Sequence, residues 1–320
     1  FNVDAYDILA NAHSLENDYQ TALKEIQQAV FIAPLSLERQ FRAADIGRQS
    51  GNFEFAKDSC QAIWQMSKRS VHRDVAHLSN YIRSILEVAE HAEDKKRRNR
   101  FQQEALITLQ RNRSEEVFRT GEQPFDFEVF ESLIHSRISA LDGQFLQAKK
   151  LLEQAQIDIE QKFDEYPIKL APDSLKVMTD IGDFEEAEQM SQLLKSHADE
   201  LDPNVQYLLS DQPKSQEERQ EAYRQHNKAG ISAYREGKYE TAAQSFKAAQ
   251  SLAPVNIGVA LNLVQSLVKL LDMQRKPEPK LVIEVREVYK LINSIPLRDS
   301  HQQKLNELLP DLTPYLEQGS

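Results

Sequence analysis

Apolar and small residues recur every three and four positions along most of the chain, which is the spacing of helices that bury one face. The pattern is continuous at 71–113, which lacks proline and carries an apolar stripe at Val75, Leu78, Tyr81, Ile82, Ile85, Leu86 and Ala89. Only 9 of the 320 residues are glycine, which also favours helices over glycine-rich loops and β-rich turns. We therefore predict an all-α fold.

A six-residue signature interrupts this pattern five times: a turn former, any residue, an aromatic residue, two variable residues and an alanine. The copies begin at Asn17, Gly51, Gly143, Gly182 and Gly237. Glycine and asparagine tolerate the left-handed backbone that ends a helix, and a small alanine lets two helices approach closely. Each copy thus predicts a tight turn between antiparallel helices. We expect the turn aromatics and the single tryptophan to lie in the core, namely Phe53, Phe145, Phe184, Tyr239 and Trp64.

The first two copies start 34 positions apart, and Pro34 and Pro254 each follow the start of a copy by 17 positions. A helical hairpin with this period, closed by a proline, resembles the tetratricopeptide repeat (TPR). The resemblance is strong for 3–70 and 223–256 and weaker between them. It implies a TPR-like helical-hairpin solenoid with irregular repeats and, at 71–113, an elongated helix pair that lacks the signature.

The intervals between the copies divide the chain into four segments. We expect an N-terminal TPR-like array with the elongated helix pair at 1–118 and further TPR-like repeats at 119–201. The segment 202–222 begins with residues rich in proline, asparagine, aspartate, glutamine and serine, which indicates a linker or loop. The remaining segment, 223–320, is predicted to contain C-terminal repeats and capping helices.

Charge and composition narrow the possible functions. The net charge is −11, so phosphate backbones are repelled on average and we expect no nucleic-acid partner. The basic run Lys95–Arg100 is interpreted as a solvated helix segment, because acidic residues precede it by about one helical turn. Cys60 is the single cysteine, which fits a cytoplasmic protein without disulfides. No apolar stretch is long enough for membrane insertion.

The chain shows no motif of a catalytic, cofactor or metal site. The 8 histidines have neither metal-ligand spacing nor clustering on one face, and phosphate-binding and nucleophile-elbow motifs do not occur. We therefore expect a protein that is not an enzyme, carries no cofactor and acts by binding other proteins.

The first repeat carries a more specific resemblance. Its residues are Tyr6–Ala10, Ala22–Val30, Ala33–Arg42, Gly47 and Gly51–Asn52. This segment resembles the effector region of bacterial two-component response regulators that carry a TPR domain behind a CheY-like receiver, although Phe41 departs from the family's Arg-Gln-Arg-like helix. The resemblance covers 3–115 and implies a receiver upstream. It also implies an effector in phosphorelay signal transduction whose partner is a protein such as a signalling kinase or another regulator.

Two other functions stay open. One is a general TPR scaffold or assembly factor for a cytoplasmic or envelope-associated complex. The other is a nucleic-acid-linked regulator that uses Lys95–Arg100. A homodimer is also conceivable, since the apolar segment 255–271 offers a face for self-association.

A TPR array binds partners in a concave groove lined by the first helix of each hairpin. Polar residues on the first helices of three repeats are therefore the candidates for partner binding: Asn11, Arg42, Arg48, Asn227, Lys228 and Arg235.

Overall fold

The computed structural model describes residues 2–113, 125–200, 214–274 and 276–316, and in these ranges the secondary structure is helical, without strands. The first six α-helices are α1 (Val3–Leu15), α2 (Tyr19–Ile32), α3 (Leu37–Gln49), α4 (Phe53–Ser67), α5 (Val75–Glu90) and α6 (Lys95–Asn112). The next four are α7 (Phe127–Leu141), α8 (Phe145–Lys162), α9 (Ala171–Ile181) and α10 (Phe184–Ser196). The last five are α11 (Lys214–Arg235), α12 (Tyr239–Leu252), α13 (Ile257–Asp272), α14 (Pro279–Asn293) and α15 (Asp299–Leu316). The all-α prediction is confirmed.

The described residues fall into two compact units. Unit 1 takes in Phe1–Glu131, Pro167–Lys169 and His197–Leu209, and unit 2 takes in Ser132–Tyr166, Leu170–Ser196 and Ser210–Ser320. In unit 1, consecutive helices from α1 to α6 pack against each other as three stacked hairpins. In unit 2, α9 packs on α10 and α11 packs on α12, while α13 contacts α12, α14 and α15.

All five signature turns have the predicted left-handed residue. The backbone φ is positive at Asn17 (60°), Gly51 (75°), Gly143 (73°), Gly182 (84°) and Gly237 (73°). In each turn the next amide donates to the carbonyl five positions earlier, at 2.7–2.9 Å. This bond closes the preceding helix in a Schellman motif, so the signature specifies the helix end as well as the turn.

The signature alanines are buried in every hairpin, whereas most of the turn aromatics are not. The five alanines of the signature are all buried. Phe184 and Trp64 are buried as expected, but the expectation was wrong for Phe53, Phe145 and Tyr239, which are half-buried. An aromatic residue at the first position of a helix covers the rim of the hairpin, whereas the alanine one turn later faces the neighbouring helix.

The apolar segment 255–271 is an interior element of unit 2. Ten residues of α13 are buried, and the nine apolar ones among them pack with α12, α14 and α15 in a single core cluster. The expectation that this segment offers a face for a homodimer is therefore corrected, because its apolar side chains are already covered within the chain.

The helices also bear on the predicted helix pair and on the predicted linker. The pair predicted at 71–113 is α5 and α6, and every residue of the predicted stripe is buried. Within the segment expected to be a linker, helix α11 already begins at Lys214, while 202–213 lie outside the described residues. None of the described helices is both long and apolar enough to cross a bilayer.

Candidate protein-binding groove

Helices α1 and α3 form the walls of an open groove in unit 1. Both helices begin at a side-chain cap: Asn2 Oδ1 accepts from the Asp4 amide at 3.1 Å, and Ser36 Oγ accepts from the Arg39 amide at 3.3 Å. Such caps fix where a helix starts and therefore which residues share a face. The groove has a volume of about 490 Å³ and is lined by Asp4, Asp7, Ile8, Asn11, Ser36, Glu38, Arg39 and Arg42.

Arg39 holds the two walls together. Its Nε lies 3.1 Å from Asp7 Oδ1, and its Nη2 donates to Asp7 Oδ2 at 2.7 Å. The remaining Nη1 donates to the Ala33 carbonyl at 2.7 Å. The hydrogen bonds with Asp7 raise the pKa of Arg39, and the side chain is buried. These hydrogen bonds fix the orientation of the planar guanidinium. The groove is therefore formed before any partner binds.

The outer part of the groove remains open to solvent. Arg42 pairs with Glu38 and lies 3.9 Å from Asp7. Asp4 is exposed, and its carboxylate makes no ion pair with the described residues. Ile8 is 68% exposed, and Asn11 is also exposed. The groove thus offers carboxylates, one amide and one apolar side chain.

The groove does not continue along the third hairpin. Helix α5 is buried at Val75 and at every residue from Leu78 to Ala89. The segment Pro167–Lys169 belongs to unit 1 and contacts this helix: Arg83 Nη2 donates to the Lys169 carbonyl at 2.7 Å, and Lys169 Nζ lies 2.7 Å from Asp74 Oδ1, at the N-cap of α5. The chain itself therefore covers the position where a third repeat would present its binding face.

Only some of the candidate binding residues lie in this groove. Asn11 and Arg42 line it together. Arg48 does not, because its side chain is buried and its Nε donates to Glu87 at 2.8 Å. The prediction of Arg48 as a binding residue is corrected: it is an interior ion pair. Asp4, Ile8, Glu38 and Arg39 also line the groove and were not predicted. Each lies three, four or seven positions before Asn11 or Arg42, so helix spacing could have indicated all four.

The other three candidates lie on α11 in unit 2. Asn227 Nδ2 donates to Glu185 Oε1 at 2.8 Å, so its amide nitrogen already has a partner. Lys228 and Arg235 are exposed. Their role in binding stays a prediction.

A second polar cluster lies in the interior of unit 2. Glu153, Asp183 and Glu186 bring carboxylate oxygens close enough to hold a metal ion. Lys149, which is fully buried, fills that place with its own ammonium group. Its Nζ lies 2.5 Å from Glu153 and 3.7 Å from Glu186, and it also donates to Asp183. The cluster already contains its cation, so we interpret it as structural.

Arg298 adds the second cation of this cluster, with its Nε 2.9 Å from Glu153 Oε2 and its Nη2 paired with Glu186. Asn256 Nδ2 donates to the other oxygen of Asp183 at 2.9 Å. Two cations thus face three carboxylates, of which Glu153 and Asp183 are buried and Glu186 is half-buried. Burial and the neighbouring carboxylates raise the pKa of Asp183 to about 7. Burial opposes ionisation of Glu186 as well, but Lys149 and Arg298 outweigh it and lower the pKa of Glu186.

The single cysteine lies beside the Arg48–Glu87 pair. Arg48 Nη2 is 3.5 Å from the Cys60 Sγ, and the thiol is buried. Burial raises the pKa of Cys60. A protonated, inaccessible thiol is a poor nucleophile, so we assign it to the core.

No protein-family model matches the chain, and the comparison with curated proteins finds no match. Among solved structures the chain is similar to one described as the P58(IPK) TPR domain. The two are 11% identical, the alignment covers 100% of this chain and 94% of that chain, and the TM-score is 0.28. The TPR-like assignment therefore rests on the hairpins and turns of the chain itself.

Proposed function

We propose that the chain is a non-catalytic protein-interaction module, a general TPR-like scaffold that holds a partner protein in the groove between α1 and α3. The observation that carries this proposal is the groove itself. Buried Arg39 fixes its walls, whereas Ile8, Asn11 and Asp4 remain exposed. A preformed site loses little conformational entropy on binding, which suits a surface that captures a flexible segment of another protein.

A narrower role, the effector of a response regulator in phosphorelay signalling, is supported only by the resemblance of 3–115 to that family. It would use the same groove, with a kinase or another regulator as the partner. The general scaffold needs nothing beyond the helical hairpins and the groove, and we therefore prefer it.

Site-specific photo-crosslinking tests the proposal. A photoreactive amino acid is placed at Asn11, inside the groove, and in a matched variant at Gln28, an exposed amide on α2 that does not line it. We expect cell extracts to give a discrete crosslinked protein with the first variant and none with the second. Equal crosslinking at both positions, or none at Asn11, would contradict the proposal.

A further inference from the structure

We infer that the groove between α1 and α3 takes a partner segment that is basic and carries an apolar side chain. This inference rests on the proposed function and adds the chemistry of the partner. It follows from which charges of the groove are already used within the chain and which still face solvent.

The positively charged side chains of the groove are already paired with carboxylates of the chain. Each nitrogen of the Arg39 guanidinium donates to Asp7 or to the Ala33 carbonyl, so the charge of this side chain is already paired within the chain. Arg42 is paired with Glu38 and faces Asp7 as well. An acidic peptide would have to displace one of these carboxylates, and that exchange brings no net gain in ion pairs.

The negative charges are in excess. Asp4, Asp7 and Glu38 face Arg39 and Arg42 in the groove lining, which leaves one carboxylate uncompensated. A lysine or arginine of a partner would satisfy the exposed Asp4 without breaking an existing pair.

The apolar contribution comes from Ile8, which lines the groove beside these carboxylates. Covering such an exposed aliphatic side chain stabilises a complex, because it removes apolar surface from water. Leu35, which is 85% exposed, directly precedes the lining residue Ser36. A segment that carries both a basic and an apolar side chain therefore matches both features of the groove.

The test uses the whole chain and three fluorescently labelled short peptides of identical leucine and alanine content. Their variable positions are all lysine, all glutamine or all glutamate, and binding is followed by fluorescence polarisation at low and at high salt. We expect the lysine peptide to bind tightest, with an affinity that falls as salt screens the groove.

Substitutions locate the contacts. Asp4→Asn should weaken the lysine peptide about fivefold at low salt and leave the glutamine peptide unchanged, as expected for one ion pair near the surface. Glu16→Gln, also exposed but outside the groove lining, is the matched control and should change neither. Ile8→Ser should weaken both peptides, whereas Leu15→Ser, which is 78% exposed on the same helix, should weaken neither.

Three results would overturn the inference: tighter binding of the glutamate peptide, an unchanged affinity in Asp4→Asn, or the absence of saturable binding by all three peptides. None of these contradicts the proposed function, whose own test is the crosslink at Asn11. If that crosslink forms while the lysine peptide fails to bind, the groove holds a partner of different chemistry.

Discussion

Replacing Lys149 by methionine should destabilise unit 2 severely. Methionine keeps a similar length and apolar volume, so the substitution removes the charge with little change in packing. The ammonium group that contacts Glu153, Asp183 and Glu186 disappears. Arg298 then remains as the one cation among the described residues that pairs with Glu153 and Glu186.

The expected loss follows from the burial of this cluster. Lys149 and Glu153 are each 1% exposed at the side chain and Asp183 is 4% exposed, so water cannot replace the missing cation. Removing one partner of such a pair costs about 3–5 kcal/mol, which is a large part of the stability of an ordinary domain. Because the pKa of Asp183 is already about 7 and loss of Lys149 raises it further, the variant can take up a proton. The loss should therefore be smaller at about pH 6 than at about pH 8.5.

The assay is urea denaturation with a separate probe for each unit. Hydrogen exchange of peptides from α8 and α10 reports on unit 2, and the fluorescence of Trp64, the single tryptophan, reports on unit 1. The matched control is Lys57→Met. Lys57 also directly follows a signature alanine, but it is 14% exposed and lies 3.3 Å from Asp58 and 3.5 Å from Glu104, so we expect a loss of about 1 kcal/mol. A loss below about 1 kcal/mol in Lys149→Met, or a loss independent of pH, would refute the reasoning.

Three further predictions concern the interior of the two units. In the wild-type protein, the pKa of Asp183 is raised from 3.8 to about 7. Its contribution to the stability of unit 2 is therefore fully present below pH 3.8 and is lost as the pH rises through about 7. Asp183→Asn should flatten this dependence of the unfolding free energy on pH, measured by urea titration. Gly182→Ala should cost clearly more than Gly143→Ala in thermal unfolding, since both have positive φ but only at Gly182 would a Cβ lie 3.1 Å from a backbone oxygen. Arg48→Met should cost about 3–5 kcal/mol in urea denaturation, and adding Glu87→Leu should recover much of it, because no unpaired buried carboxylate then remains.

The elements that the sequence predicts well are those set by local chemistry. The turns at Asn17 and at the four glycines follow from the residues that accept a positive φ. The apolar stripe of α5 follows from residue spacing alone, so its burial could be predicted without knowing which helices pack against it. The turn aromatics show the limit of this reasoning, since Phe53 and Phe184 occupy the same position of the signature and yet Phe184 alone is buried. Which of them becomes covered depends on helices far away in the chain.

The error at Arg48 could have been avoided from helix geometry. Glu38 and Arg39 line the groove with Arg42 at spacings of four and three, whereas Arg48 follows Arg42 by six positions, about one and two-thirds turns, and so points to another side. The cluster around Lys149 could not be predicted in this way. Its partners Asp183 and Arg298 are 34 and 149 positions away, and nothing in the local pattern distinguishes a buried lysine from a solvated one.

The position after the signature alanine is buried in several of the repeats, including the one that carries Lys149. Leu23 and Ala243 occupy the equivalent position in α2 and α12, and both are buried. The position permits burial without requiring it, because Lys57 of α4 is 14% exposed there. The ammonium group of Lys149 is tolerated in the interior because the carboxylates of Glu153, Asp183 and Glu186 meet it. Asp4 and Glu38 differ from Lys149 in their exposure. Because these two side chains face solvent, their charges can change without an interior group losing its partner. Substitutions in the groove should therefore alter what the chain binds, whereas substitutions at Lys149 should alter whether unit 2 folds.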